Sequence, residues 1–205
     1  MVLDPTKSIE PESEAYSNVI TSLSKRFGTE PFEPHVTLLS LFEATEETAQ
    51  EFAKELKDYA SGFVEKTQDK SNKPPGEIRF ETGKPTAGER FFQCVYMLCD
   101  KGTVLGDVHD AVKCMLERKE GVSLFLANAT YMPHMSLVYG DLNKEQKEEA
   151  KAMALEKLRE ETKRLGRKDE DCILRKFEMD SWDIYLTPME GNCTKNWSCV
   201  AHCPL

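Results

Sequence analysis

Between residues 13 and 27, apolar side chains fall at Tyr16, Val19, Ile20, Leu23 and Phe27, the three-and-four spacing of one helical face, and Gly28 stands where a C-terminal cap belongs. The pattern turns β-rich over 35–42. Thr45 then caps a second predicted helix, with Glu46 and Glu47 in its first turn and an apolar stripe at Ala49, Phe52, Ala53, Leu56 and Tyr59. Residues 66–77, KTQDKSNKPPGE, are polar and broken by Pro-Pro-Gly, which reads as a solvated loop. EIRFETG (77–83) and FFQCVYMLC (91–99) read as strands, the second so continuously apolar that it belongs in the middle of its sheet. A helix over 103–118 turns Val104, Leu105, Val108, Ala111, Val112, Met115 and Leu116 inward, and after a loop 134–139 is another strand. Asn143 and Gln146 have the spacing of a capping box ahead of a charged helix that runs to about residue 165. Beyond RKDED, three strands over 173–179, 181–187 and 197–203 close the chain.

Helices interspersed with strands and ending in a run of strands favour an α+β arrangement with antiparallel pairing over regular βαβ alternation. Two of the strands carry nearly the same words. PHVTLLS (34–40) and PHMSLVYG (133–140) both read Pro-His-apolar-(Thr or Ser)-Leu-apolar, and each is followed within a few residues by a capped helix. The rest of the two halves shows no such identity, so the pattern suggests two related lobes rather than a sequence repeat.

Composition narrows the chemistry. A chain of 205 residues with 40% hydrophobic and 31% charged residues suits one soluble domain of two small lobes, covering 1–205. No apolar run approaches the roughly 20 residues that span a bilayer, and MVLDPTKSIEPESE lacks the basic start and apolar centre of a signal peptide, so a cytoplasmic protein without membrane contact is expected. The net charge of −9 argues against a surface for long nucleic acid, yet leaves room for a small phosphorylated ligand in a local pocket. Seven cysteines without a CxxC pair point to reduced thiols. Cys193, Cys199, His202 and Cys203 are too widely spaced, on a strand-like stretch, for a typical zinc site; they read as thiols packing like small hydrophobes.

A strand sends alternate side chains to opposite faces, so His35 and Thr37 point one way, about 6.6–6.8 Å apart, while Val36 and Leu38 pack behind them. The same alternation pairs His134 with Ser136, and Met135 with Leu137. Two such strands facing one groove would bring together two imidazoles and two hydroxyls. One neutral ring can accept a proton from attacking water while a protonated ring donates to a departing oxygen, each transfer being worth roughly 10²–10⁴ in rate. The hydroxyls can donate to phosphoryl oxygens as their charge grows. Neither a metal nor an organic cofactor is needed. A single His-x-Thr on a strand is usually a structural histidine; two copies, each after Pro and before Leu, are not readily accidental. His109, on a helix beside Asp110 and near the surface, and His202, near the end of the last strand, are assigned no role.

The paired H-x-[TS] phrases resemble the 2H phosphoesterase superfamily, and FEPHVTLLS, FFQCVYML, ATYMPHMSLVYGDL, SWDIYLT and NWSCVAHC resemble the cyclic phosphodiesterases of plants and fungi, from about Tyr16 to Cys203. The resemblance implies a bilobal 2H fold: two antiparallel sheets facing a central groove, helices outside, and one histidine motif from each sheet. It implies a hydrolase that opens ADP-ribose 1″,2″-cyclic phosphate to ADP-ribose 1″-phosphate, a late step in the handling of tRNA-splicing by-products, and nucleoside 2′,3′-cyclic phosphates to 2′-phosphates; a monomer acting on a small nucleotide is expected. By position, His35 and His134 match the catalytic pair, Thr37 and Ser136 the phosphate-binding hydroxyls, and Tyr139 a ligand-contacting tyrosine. Strict alternation from Ser136 instead sends Tyr139 to the opposite face, as a core tyrosine, unless the strand bulges. The family begins with an apolar strand ahead of the first helix; here that slot holds MVLDPTKSIEPE, so either residues 7–10 form a poor strand or the segment is altered. Two other activities fit the scaffold: a 2H enzyme acting on RNA ends or 2′,5′-linked oligonucleotides, which calls for a basic track, and a non-catalytic nucleotide-binding module.

Overall fold

The computed structural model describes residues 2–4, 12–43, 45–68, 78–100, 103–119, 123–124, 131–167, 176–179, 181–187 and 196–204. Four helices, α1 (Glu12–Phe27), α2 (Glu46–Gln68), α3 (Thr103–Glu117) and α4 (Lys144–Arg164), accompany nine strands among these residues. The strands are β1 (Val2–Asp4), β2 (Leu39–Glu43), β3 (Ile78–Ala87), β4 (Val95–Cys99), β5 (Ser123–Leu124), β6 (His134–Val138), β7 (Lys176–Met179), β8 (Ser181–Leu186) and β9 (Ser198–Pro204). They form a five-stranded sheet in the order β5-β2-β1-β8-β9 and a four-stranded sheet in the order β6-β4-β3-β7. Every strand pairing is antiparallel, the α+β arrangement that the element order predicts.

The helix ends follow from local chemistry. α1 stops at Gly28, whose φ of 67° a Cβ would resist, and Thr29 N–H then donates to Ser24 O at 3.0 Å. Thr45 Oγ1 accepts from Thr48 N–H at 3.1 Å ahead of α2. The predicted capping box opens α4: Asn143 Oδ1 accepts from Gln146 N–H at 2.9 Å, and Asn143 N–H donates to Gln146 Oε1 at 3.0 Å. α1 packs against α4, which lies on β3 and β4, while α2 covers β8 and β9. Tyr16, Val19, Ile20 and Leu23 of α1, Phe52 and Leu56 of α2, and Leu158 of α4 are all fully buried in one continuous core. No helix among the described residues is long and apolar enough to cross a membrane.

The structure departs from the sequence expectations at several places. The N-terminal slot is filled by Val2–Asp4, which pairs with β2 on one side and β8 on the other; residues 7–10, the candidate named for it, lie outside the described residues. Three residues are too few to show a period, but two flanking strands are enough to hold them. The strand expected over 35–42 begins at Leu39; before it, Val36 makes an isolated antiparallel bridge to Met135. Residues 91–93 form a 3₁₀ turn rather than the start of a strand, because β3 and β4 are a hairpin that closes there, with Gly88 N–H on Cys94 O at 2.9 Å. β4 is central in its sheet, as expected. β3 runs on to Ala87, past a bulge that accommodates Pro85. α2 extends to Gln68, into the expected loop, and the short β5 carries no sequence signal.

Candidate active site

The two Pro-His phrases meet each other directly. The antiparallel bridge between Val36 and Met135 fixes the register, so His35 lies opposite Ser136 and Thr37 opposite His134. Residues opposite one another share a face, and the flanking positions 35 and 37 share the face away from Val36. All four motif residues therefore belong to one patch, with the two histidines as diagonal neighbours about 7–8 Å apart. The other face is core: Val36, Met135 and Leu137 are fully buried and Leu38 nearly so.

Both imidazoles are held in the same way. His35 Nδ1 lies 2.7 Å from Glu33 O, and His134 Nδ1 lies 2.9 Å from Met132 O. A carbonyl only accepts, so Nδ1 carries the hydrogen in both rings and Nε2 is the atom left for chemistry. The intervening proline explains the match. Pro34 and Pro133 hold the residue before them extended, which turns the carbonyl two positions back toward the ring that follows. The Pro-His dipeptide in each phrase is thus a device for fixing a tautomer.

The surroundings of the two rings differ. His35 is 4% exposed and packed among aromatic groups: Phe32 edge-on at 5.6 Å, Trp197 at 5.9 Å and Tyr139 at 6.0 Å between ring centres. Burial pushes its pKa down to about 4, against the Glu33 carbonyl, which raises it; the nearby His134 lowers it further. His134 is half-buried, with the Tyr96 ring 5.4 Å away, and burial lowers its pKa too, opposed by Met132 O. Burial thus favours the neutral form of both rings, because a charge there is poorly solvated.

Tyr139 is the residue on which strand alternation misleads. Its hydroxyl lies 2.7 Å from His35 Nε2, and its ring stacks on Phe32 at 3.9 Å. The reason is a bulge: Tyr96 pairs with Ser136 and Val95 with Val138, so Leu137 is an extra residue in β6 and the alternation slips by one beyond it. Tyr139 then leaves the strand on the histidine side. Ser136 is buried, and its Oγ donates to Phe92 O at 2.8 Å across the β3–β4 hairpin. The same turn accepts Gly140 N–H on Phe91 O at 3.2 Å, and Lys147 Nζ of α4 donates to Gly88 O at 2.8 Å. Thr37 is half-buried, and its carbonyl accepts from Tyr131 Oη at 3.5 Å.

An aromatic wall that the two motifs do not announce surrounds the histidines. Phe32, Phe92, Tyr96 and Trp197 line the two imidazoles, and the three exposed large hydrophobics among the described residues, Phe92, Leu98 and Met132, all border them. Leu98 is the β4 partner of His134. A signal existed: Phe32, Phe92 and Trp197 sit in the words FEPH, FFQC and NWSC. The remaining histidines lie elsewhere. His109 is less exposed than expected, its side chain 12% accessible and its ring stacked on Tyr131 at 4.1 Å. His202 pairs with Asp183 at 2.6 Å on one face of β8–β9, whereas Cys203 is buried on the other with its thiol toward Ala53 O of α2, so these two residues cannot share an ion.

A family model described as cyclic phosphodiesterase-like protein matches residues 3–203. No curated protein matches the chain. The match takes in both Pro-His phrases and every strand of both sheets but the first residue of β1 and the last of β9. The chain belongs to the cyclic phosphodiesterase-like family.

Proposed function

We propose that the protein hydrolyses five-membered cyclic phosphates without a metal, using His35 and His134 as proton donor and acceptor in one bilobal cytoplasmic domain whose two sheets face a central groove. Like the plant and fungal enzymes it resembles, it would open ADP-ribose 1″,2″-cyclic phosphate to the 1″-phosphate and nucleoside 2′,3′-cyclic phosphates to 2′-phosphates. The observation that carries this reading is the Val36–Met135 bridge, which puts two imidazoles and two hydroxyls on one face in a chain of this family.

In this reading, as in the family it resembles, His134 is the base and His35 the acid. Burial favours the neutral form of His35, yet a general acid must carry a proton. The phosphodiester brings a negative charge between the rings, and this favours one proton on the pair. Substrate and proton therefore bind together, and the anion raises the pKa of the buried His35 so that it holds the proton the leaving oxygen needs. His134 Nε2 takes a proton from water as its oxygen attacks phosphorus. The P–O bond to the departing ribose oxygen breaks, and His35 Nε2–H supplies that oxygen with its proton. Tyr139, now on His35 Nε2, gives way to the leaving oxygen and hydrogen-bonds the phosphate. Ser136 turns its hydroxyl from Phe92 O to a phosphoryl oxygen, an exchange costing on the order of 1 kcal/mol or less, and Thr37 donates from the other strand. The exposed apolar rim of Phe92, Leu98 and Met132 gives a nucleoside a surface to rest on.

The test is product analysis with 2′,3′-cyclic AMP and ADP-ribose 1″,2″-cyclic phosphate in excess chelator. Release of the 2′-phosphate and the 1″-phosphate is expected. No turnover of either compound, or activity abolished by the chelator, would overturn the proposal.

A further inference from the structure

Asp183 and His202 form a polar pair that the proposed mechanism does not use. Asp183 is 6% exposed, and its Oδ1 lies 2.6 Å from His202 Nδ1, while the His202 side chain is 52% accessible. The two residues are direct partners in the β8–β9 ladder. Their neighbours on the opposite face, Ile184, Ala201 and Cys203, lie on the side covered by α2. The bulge between Ile184 and Tyr185 adds its extra residue to β9, so alternation along β8 is intact and Tyr185 shares the face of Asp183. The Tyr185 ring is 6.4 Å from Trp197, and Trp197 is 5.9 Å from His35. The pair thus sits on the histidine side of the five-stranded sheet. It lies one strand repeat, about 6.6–6.8 Å, beyond the Tyr185–Trp197 wall. That is out of reach of the reacting phosphorus but within the length of a nucleotide extending from it.

We propose that Asp183 and His202 form a second recognition point of the same site, binding the diphosphate of a substrate whose cyclic-phosphate ribose also carries a nucleoside diphosphate. The inference rests on the function proposed above. Asp183 accepts Nδ1–H and fixes the ring, which leaves Nε2 as the accessible polar edge. A proton on Nε2 then lets the ring donate to a phosphate oxygen, with the carboxylate behind it balancing the charge. In a chain of net charge −9, the pair offers a multiply charged anion a placed donor rather than net positive charge. His202 is a specificity-determining residue in this account, and Asp183 a positioning residue.

The experiment compares wild type with His202→Ala, His202→Arg and Asp183→Asn. It measures kcat/KM for ADP-ribose 1″,2″-cyclic phosphate and for 2′,3′-cyclic AMP, and the affinity for ADP by calorimetry. The ratio of the two kcat/KM values and the ADP affinity should each fall about tenfold in His202→Ala, the loss of one charge-assisted hydrogen bond. His202→Arg should recover most of both, because it restores the positive charge, and Asp183→Asn should lower the ratio through KM rather than kcat. A ratio and an ADP affinity unchanged within twofold in His202→Ala would overturn the inference, as would an Asp183→Asn protein that melts at lower temperature with both quantities unmoved. Should wild type hydrolyse neither compound, the proposed function falls and ADP binding decides this inference alone: weaker binding in His202→Ala upholds it, and absent or unchanged binding overturns it.

Discussion

His35 is set apart from the other histidines by what surrounds it: Phe32, Tyr139 and Trp197 pack around the ring, and burial, with a smaller push from His134 and against the Glu33 carbonyl, takes its pKa down to about 4. In the unfolded chain the same ring titrates near 6.5. Between pH 6.5 and 4 the unfolded chain therefore holds a proton that the folded protein lacks, so stability rises with pH through that window. His35 thus detracts nothing above about pH 6.5, and stability falls as the pH drops toward 4, by on the order of 3 kcal/mol in full. Urea unfolding from pH 7 to 4.5 should show the midpoint of His35→Gln declining less steeply than that of wild type; parallel declines would contradict the burial argument. The histidines, Thr37 and Ser136 were legible in the sequence because the phrase occurs twice in only four histidine contexts. The aromatic enclosure was not, since Phe32, Phe92 and Trp197 come from three segments that only tertiary folding brings together. Tyr139 was legible through resemblance and misplaced by alternation, because nothing in PHMSLVYG announces the bulge at Leu137.

At the scale of elements, signals held wherever they were local. Gly28, Thr45 and the Asn143–Gln146 box mark helix ends through contacts within one turn, and the helices begin and end beside them. The signals failed where pairing decides: Val2–Asp4 is a central strand because β2 and β8 flank it, and FFQ turns because β3 lies across from β4. That hairpin turn is the element most tightly joined to the site, since Phe92 O holds Ser136 and Phe91 O holds Gly140 N–H. It also requires a glycine. A Cβ on Gly88 would fall inside van der Waals distance of Gln93 O and 2.9 Å from Tyr96 Cε1, next to the ring that abuts His134. Gly88→Ala should lower stability by about 1–3 kcal/mol and raise KM for 2′,3′-cyclic AMP several-fold, because the turn must open to admit the methyl group. Gly28→Ala, strained only by its positive φ, should lower stability by about 1–2 kcal/mol with KM unaffected. Denaturant melts with parallel kinetics check both; a KM in Gly88→Ala equal to that of wild type would separate the turn from the site.

At the scale of the whole molecule, Val36, just ahead of β2 in the five-stranded sheet, bridges Met135 of β6 in the four-stranded sheet, and the residues flanking this bridge are the matched histidine phrases. The likeness of the two phrases was legible because the words repeat. Their direct pairing was not, because among the described residues it rests on one isolated backbone bridge, Val36 with Met135, and one pair leaves no periodic trace in sequence. In the proposed mechanism an acidic chain handles an anion through placed donors and a proton taken up with the ligand rather than through net positive charge. The central claim, that both imidazoles move protons at one phosphorus, is tested most directly by the pH dependence of kcat/KM for 2′,3′-cyclic AMP in wild type, His35→Ala and His134→Ala. The account predicts a bell for wild type, a loss of roughly 10²–10⁴ in each variant, and one limb of the bell missing from each, a different limb in the two. Rates within a few-fold of wild type in either variant, or the same limb lost from both, would contradict it.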